Sequence, residues 1–532
     1  MSIVLGHIVS GSLADGLTMR IAVDAHFEQV KAGKFVTIKS GPYTFFSLIT
    51  DLSLEVSHPT ILLFPPTQQE KLLMNIVRKR DMYATAVIKP MLMLNAEKQP
   101  APVKMIPVHF SPVYQATRED IACVFGDESL SGGTYFNIGC PLDMQTPVCV
   151  NLDRLTERSN GIFGKTGTGK TFLTRLVLAG LIQANKAVTL IFDMHSEYGI
   201  QARREGNVQS FVKGLKTLFP DKVVIFSLDP ASTRRRGGNP DVELVLAYQA
   251  ISVEDVMTLQ EELNLHPTAL EAAYLLAAQY KKEWLKVLLA CGDRLKDLAT
   301  DLGAHPESIA ALYRKLKMLE RLPFLIDCPQ EQSIIDQMME YIARGVSVII
   351  EFGNYTSTVI YLLIANVISR RIHAHYMHKT ELFLGSQRPE DEPLKLMIVI
   401  EEAHKFLNPQ AAKQTIFGII AREMRKYYVS LLIVDQRPSG IDQEVLSQIG
   451  TKIIAQLHDE KDINAILSGV HGASTLRSVL ASLDSKKQAL LMGHALAMPV
   501  VVETREYGPA FYEAMQPRVD QRQIDQLIKE LF

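Results

Sequence analysis

Short apolar runs broken by turn residues dominate the first 115 residues. Arg20-Ile21-Ala22-Val23, Phe35-Val36-Thr37-Ile38, Phe45 to Ile49 and Ala84-Thr85-Ala86-Val87-Ile88 each have the length and β-branched content of a strand. Gly33 and Gly41-Pro42 punctuate them. The pattern predicts a small antiparallel barrel over residues 1–115, followed by a connector, 116–150, rich in Gly, Pro and Asp. From residue 151 the period changes. Near-continuous apolar runs, Val188 to Phe192, Val223 to Phe226, Val346 to Ile350, Met397 to Ile400, Leu431 to Val434 and Lys452 to Ala455, alternate with helical stretches. Strands of that kind suit a parallel sheet covered on both faces. The alternation halts at Thr233-Arg234-Arg235-Arg236-Gly237-Gly238, and residues 253–322 read as helical throughout. There Ile309, Leu312, Leu316 and Leu319 share a face and Pro306 stands near a helix start. The expected architecture is an α/β core in two segments, 151–232 and 345–505, interrupted by a helical bundle at 233–344. A C-terminal helical brace, 506–532, follows, with Ile524, Leu527, Ile528 and Leu531 in phase.

Composition narrows the function class. A chain of 532 residues, 47% hydrophobic, has room for two to four domains with sizeable cores. The formal net charge of -2 carries no global basic excess, so any polyanion must meet a local patch. The five cysteines, Cys123, Cys140, Cys149, Cys291 and Cys328, include no C-x-x-C pair and read as free thiols in a reducing compartment. The amino terminus lacks a positive n-region, and apolar stretches such as Val359 to Ile368 are too short to span a bilayer. A cytoplasmic protein with no membrane partner is expected.

The candidate chemistry begins at Gly164, where the chain reads G-x-x-x-x-G-K-T between an apolar strand and an apolar helix. Such a loop curls its backbone N–H groups around a phosphate chain and opens onto a helix N-terminus that favours anions. Gly164, Lys165, Thr166, Gly167, Thr168, Gly169, Lys170, Thr171 and Phe172 make up the expected nucleotide cradle. Lys170 would reach the β- and γ-phosphates and Thr171 would ligand Mg²⁺. ATP and Mg²⁺ are the cofactors implied.

A phosphate loop needs a partner carboxylate at the end of a neighbouring strand. Leu396 to Ile400, followed by Glu401-Glu402-Ala403-His404, supplies it. Glu401 stands where an acid assists Mg²⁺ through water, and Glu402 is placed to polarise the attacking water. The competing reading, a surface Glu pair opening a helix, is weaker with a phosphate loop upstream. Gln436, after the strand Leu431 to Val434, is a candidate γ-phosphate sensor. Arg422 and Arg425 lie three apart on one helix face, and Arg158 precedes the phosphate loop. Each is either a solvated charge or an arginine that offsets charge developing in phosphoryl transfer.

Taken together, Gly164 to Thr171, Asp193-Met194-His195-Ser196-Glu197-Tyr198, Ile400 to His404, Arg425-Lys426 and Gln436-Arg437-Pro438 resemble the HerA branch of the HerA/FtsK ATPases. The order of parts is similar as well. The resemblance implies a RecA-like core, a barrel of the HAS type, and a homo-hexameric ring that translocates double-stranded DNA with a NurA-like nuclease or a defence effector. It also implies Arg158 and Arg425 as arginines acting in a neighbouring subunit and Gln436 as the sensor. Two positions depart from the family's pattern: Met424, where glycine commonly precedes the Arg-Lys pair, and Ser196, where glycine is usual.

A ring motor needs polar loops that grip phosphates. Arg234-Arg235-Arg236, flanked by Gly237-Gly238, reads equally as such a loop or as a solvated one, and Lys405 to Lys413 is a second candidate. Neither interleaves aromatics, which favours duplex over single strands. His195 and His404 read as local structure. Two further functions share this core: a type IV secretion or conjugation ATPase, and a nucleotide switch that serves as an assembly platform for an effector.

Overall fold

The apolar runs of the second segment become one parallel sheet in the computed structural model. The structure describes residues 4–22, 30–58, 82–130, 132–142, 144–203, 211–327, 334–413, 415–470, 476–477, 480–481, 483 and 487–516. The face predicted at Ile524 to Leu531, Val23 and Cys328 lie outside these residues. The chain divides into two compact units, Met1–Asn151 with Gln488–Arg505, and Leu152–Lys487 with Glu506–Phe532.

In the first unit, antiparallel strands run in the order Gly16–Ile21, Val4–Ser12, Pro112–Gln115, Phe35–Ser40, Tyr43–Val56, Met82–Leu94 and Pro100–Ala101. Gly16–Ile21 also pairs with Met82–Leu94, which closes the sheet into a barrel. Its inward positions, among them Leu5, Ile8, Met19, Val36, Ile38, Phe45, Ile88 and Val113, form one apolar core. A second antiparallel group joins Val148–Asn151, Tyr135–Pro141, Val500–Thr504 and Gln488–Gly493. Residues 488–505 belong to this compact unit. Their pairing with Tyr135–Pro141 is the reason.

In the second unit the parallel strands are β1 (Asn160–Phe163), β2 (Val188–Asp193), β3 (Val223–Ser227), β4 (Ser347–Glu351), β5 (Leu396–Glu401), β6 (Val429–Asp435) and β7 (Thr451–Ile454). Their order is β3-β4-β2-β5-β6-β1-β7. β2 to β6 are buried at every position, as strands covered on both faces must be. Three helices matter for the site: α1 (Lys170–Gln183), α2 (Pro230–Arg235) and α3 (Thr358–Ser386).

The predicted helical stretch is present as Val253–Met257, Pro267–Tyr280, Trp284–Ala290, Leu295–Leu302 and Pro306–Leu316, all within the second unit. Ile309, Leu312, Leu316 and Leu319 are buried, and Pro306 occupies the first turn of its helix. A buried ion pair pins this region to α3. Asp255, 0% exposed, accepts from Arg370 Nη2 at 2.6 Å and from Asn366 Nδ2 at 2.7 Å. Cys123, Cys140, Cys149 and Cys291 are free thiols. Among the described residues no helix is long and apolar enough to cross a membrane.

Candidate nucleotide site

The sheet decides where chemistry gathers. With all strands parallel, the carboxyl ends of β1, β5 and β6 meet on one edge. The phosphate loop leaves β1 at Gly164 and enters α1 at Lys170. Gly167 (φ 80°) and Gly169 (φ 86°) are left-handed, a conformation that turns backbone N–H groups inward and that a Cβ would strain. At Gly164 the constraint is space: a Cβ would lie 2.8 Å from both Ala455 Cβ and Thr168 Oγ1. Gly164 N donates to Asp435 O and Lys165 N to Gln456 O, so the loop is tied to the ends of β6 and β7. Lys165, Thr166 and Gly167 are exposed, Thr168 is buried, and Lys170, Thr171 and Phe172 are half-buried. Phe172 packs on Tyr507, ring centroids 6.3 Å apart.

Glu401 ends β5, 7% exposed. Its Oε1 accepts from the Tyr198 hydroxyl at 2.8 Å, while the Tyr361 hydroxyl bridges its backbone N and O, each at 3.1 Å. Burial, reinforced by the neighbouring Asp193, pushes its carboxyl up to about 8. Asp193, at the end of β2, is pushed up to about 7 by burial and by Glu351 beside it. The other oxygen of Glu401, Oε2, is buried without a hydrogen-bond partner among the described residues. The positive charge of Lys170 acts on this carboxyl, drawing it towards the ionised form. An orphaned acidic oxygen near the phosphate-loop lysine, with the Thr171 hydroxyl on the same helix turn, fits a Mg²⁺–nucleotide. No group of three His, Cys, Asp or Glu that could hold a metal occurs among the described residues. Mg²⁺ bound mostly by phosphate, a hydroxyl and water does not require one.

Glu402 takes a left-handed conformation (φ 49°), which swings its side chain off the strand direction. Its Oε1 accepts from Gln436 Nε2 at 2.7 Å. Gln436 Oε1 in turn accepts from Thr166 Oγ1 at 2.5 Å. One side chain from the end of β6 thus bridges the phosphate loop and the candidate water-polarising carboxylate. Behind them Asp435, 0% exposed, accepts from His404 N (2.7 Å), His404 Nδ1 (3.0 Å) and Arg437 N (2.6 Å). That hydrogen bond holds the His404 imidazole above its usual range. His404 Nδ1 also lies 3.7 Å from Glu402 Oε2, so it borders the site.

Arg158 and Arg425 sit elsewhere. Arg158 precedes β1 and Arg425 precedes β6, at the amino ends of the strands, and both are exposed. The seven residues of β6 span roughly 20 Å and the four of β1 roughly 13 Å, so neither guanidinium reaches its own phosphate loop. Arg422 donates to Ala412 O at 3.2 Å. The two candidate phosphate-gripping loops look different from their expected form. Arg234 and Arg235 belong to α2, with Asp229 as its N-cap and Pro230 in its first turn, and Arg236 is paired with buried Glu351 at 2.8 Å. In Lys405 to Lys413, Phe406, Leu407 and Ala412 are buried, and Lys405 Nζ donates to Thr358 Oγ1.

Sequence reasoning missed Tyr198, Tyr361 and Asp435 as members of the site. Tyr198 lies inside a motif already noticed, and Asp435 immediately precedes Gln436-Arg437-Pro438. Tyr361, in the first turn of α3 and followed by an apolar run, carries no signal.

Residues 136–372 match a family model described as "Helicase HerA, central domain". A DNA double-strand break repair helicase HerA of Sulfurisphaera tokodaii is 24% identical over 442 residues, 81% of this chain and 79% of that protein. Its counterpart in Pyrococcus furiosus is 23% identical over 417 residues, 73% and 72% of the two chains. The solved structure of VirB4 of Thermoanaerobacter pseudethanolicus aligns with a TM-score of 0.46 at 14% identity, over 72% of this chain and 99% of that one. The phosphate loop, the paired glutamates and the Gln436 loop lie together on one edge of a parallel sheet, and over residues 136–372 the chain is similar to the central domain of HerA-type ATPases.

Proposed function

We propose that this protein is an ATP-driven translocase of double-stranded DNA that works as a homo-hexameric ring with a nuclease or effector partner. The observation that carries the reading is the division of the sheet. Glu402, Gln436 and the phosphate loop occupy one edge, and exposed Arg158 and Arg425 occupy the other. A site that draws an arginine from the next subunit is incomplete in a monomer, and a closed ring completes every copy. The helicase names of the curated relatives support DNA as the track.

In this reading Lys170 and the loop N–H groups hold the phosphates, and Thr171 and, through water, Glu401 hold Mg²⁺, which supplies neutralisation of phosphate charge. Glu402 accepts the proton of the attacking water. Gln436, already bonded to both Glu402 and Thr166, links the state of the phosphate loop to the orientation of that carboxylate. Arg158 and Arg425 act on the phosphate held by a neighbour. The exposed arginines of α2, Arg234 and Arg235, meet DNA phosphates without reading sequence.

The test is ATP turnover with and without linear duplex DNA. Stimulation by duplex that fades as salt rises is expected. Turnover indifferent to DNA across that range would favour a nucleotide switch and refute the motor.

A further inference from the structure

The Asp193-Met194-His195-Ser196-Glu197-Tyr198 segment borders the site through Tyr198 but has no role in the function proposed above. Its geometry gives it one. Asp193, fully buried at the end of β2, accepts from Glu197 N at 2.8 Å and Tyr198 N at 2.9 Å. Those two bonds fold the segment back under its own strand. The fold requires a left-handed residue, supplied by Ser196 at φ 56°. From α1, buried Arg175 donates to Glu197 O and lies 6.0 Å from the Tyr198 ring. The result is a tyrosine with 0% exposure whose hydroxyl is delivered to Glu401 Oε1 at 2.8 Å.

The hydroxyl matters beyond the ring. A phenylalanine would fill the same apolar space, and among the described residues the hydrogen-bond partner of the Tyr198 hydroxyl is the Glu401 carboxylate. With Oε1 taken by Tyr198 and the Glu401 backbone bridged by Tyr361, the carboxylate is held at both ends. Oε2 is left buried and without a partner among the described residues. We propose that Tyr198 is a positioning residue: its hydroxyl fixes Glu401 so that Oε2 faces the water shell of the nucleotide's Mg²⁺. The Asp193 turn and the Arg175 bond to the Glu197 carbonyl exist to hold Tyr198 there. The inference rests on the reading of Glu401 as the Mg²⁺-side carboxylate.

The experiment is equilibrium binding, independent of turnover. A fluorescent, non-hydrolysable ATP analogue is titrated in EDTA and then with increasing Mg²⁺. The proteins are wild type, Tyr198→Phe, Glu401→Gln and the double variant. Tyr198→Phe should leave metal-free nucleotide affinity unchanged. It should raise the Mg²⁺ concentration for half-maximal binding about tenfold, the effect of removing one hydrogen bond to a charged group. The double variant should match Glu401→Gln alone, because the hydroxyl acts only through that carboxylate. Urea unfolding followed by Trp284 fluorescence checks that Tyr198→Phe is folded. If Glu401→Gln shifts the Mg²⁺ dependence and Tyr198→Phe does not, or if the two losses add, Tyr198 is only core packing. If Glu401→Gln itself shifts nothing, the assignment of Glu401 fails and the inference falls with it.

Discussion

Replacing Arg236 by alanine separates a structural arginine from a DNA-facing one. Glu351 is 0% exposed at the end of β4, and its Oε2 accepts from Arg236 Nη2 and Thr233 Oγ1, both at 2.8 Å. Its Oε1 has no partner among the described residues, and a Cβ at Gly199 would come within 2.3 Å of it, so there is little room for relaxation. Arg236→Ala leaves that buried carboxylate with one hydroxyl donor. Breaking a fully buried pair costs about 3–5 kcal/mol. The Arg236 side chain is 35% exposed, and solvent screening brings the expectation down to about 2–3 kcal/mol. Arg234 is the control: it pairs with Glu243 at 2.9 Å, but both side chains are more than half exposed, so Arg234→Ala should cost less than about 1 kcal/mol. The assay is urea denaturation read by Trp284, the sole tryptophan, buried in the same compact unit. Glu351→Gln in the Arg236→Ala background should recover much of the loss, because the amide carries no unpaired charge. Arg236→Ala with wild-type stability would refute the reasoning.

Three further outcomes follow from the same geometry. The buried acids Glu401 and Asp193, pushed up to about 8 and about 7, hold protons more tightly folded than unfolded. Their contribution is fully present below an unfolded carboxyl value of about 4 and is lost as pH rises through about 7 to 8. In Mg²⁺-free buffer the Trp284 thermal midpoint should fall between about pH 5 and about pH 8.5, and Glu401→Gln should flatten that fall; parallel curves would reject it. Arg425→Ala and Glu402→Gln subunits, each inactive alone, should regain ATP turnover when mixed, since some interfaces then carry both parts; turnover in Arg425→Ala equal to wild type would make Arg425 a surface charge. Arg234→Ala/Arg235→Ala should flatten the log–log salt dependence of duplex binding by about 0.9 for each phosphate no longer neutralised, and an unchanged slope would leave both in solvent.

The strands of the sheet were legible because burial on both faces writes itself as unbroken apolar runs, and the phosphate loop and paired glutamates follow from their places at strand ends. Long-range pairing left no such trace. Nothing local says that Val500–Thr504 pairs with Tyr135–Pro141. The arginine run illustrates a signal passed over. Asp229-Pro230 is a helix-start pair, and it places Arg234 and Arg235 on a helix where glycines after them suggested a loop. Ser196 shows the opposite case: its departure from glycine lies at a left-handed position, so the departure carries backbone strain and the turn is kept by Asp193. The bridge from Thr166 through Gln436 to Glu402 depends on side-chain directions at three strand ends, which no spacing encodes.

The claim that ATP is hydrolysed between the phosphate loop and Glu402 is tested most directly by single-turnover hydrolysis and nucleotide affinity in Glu402→Gln. Glutamine keeps the size of the side chain but cannot take a proton. ATP should bind with near wild-type affinity, and hydrolysis should fall by about 10²–10⁴. Hydrolysis at the wild-type rate in Glu402→Gln would contradict the account.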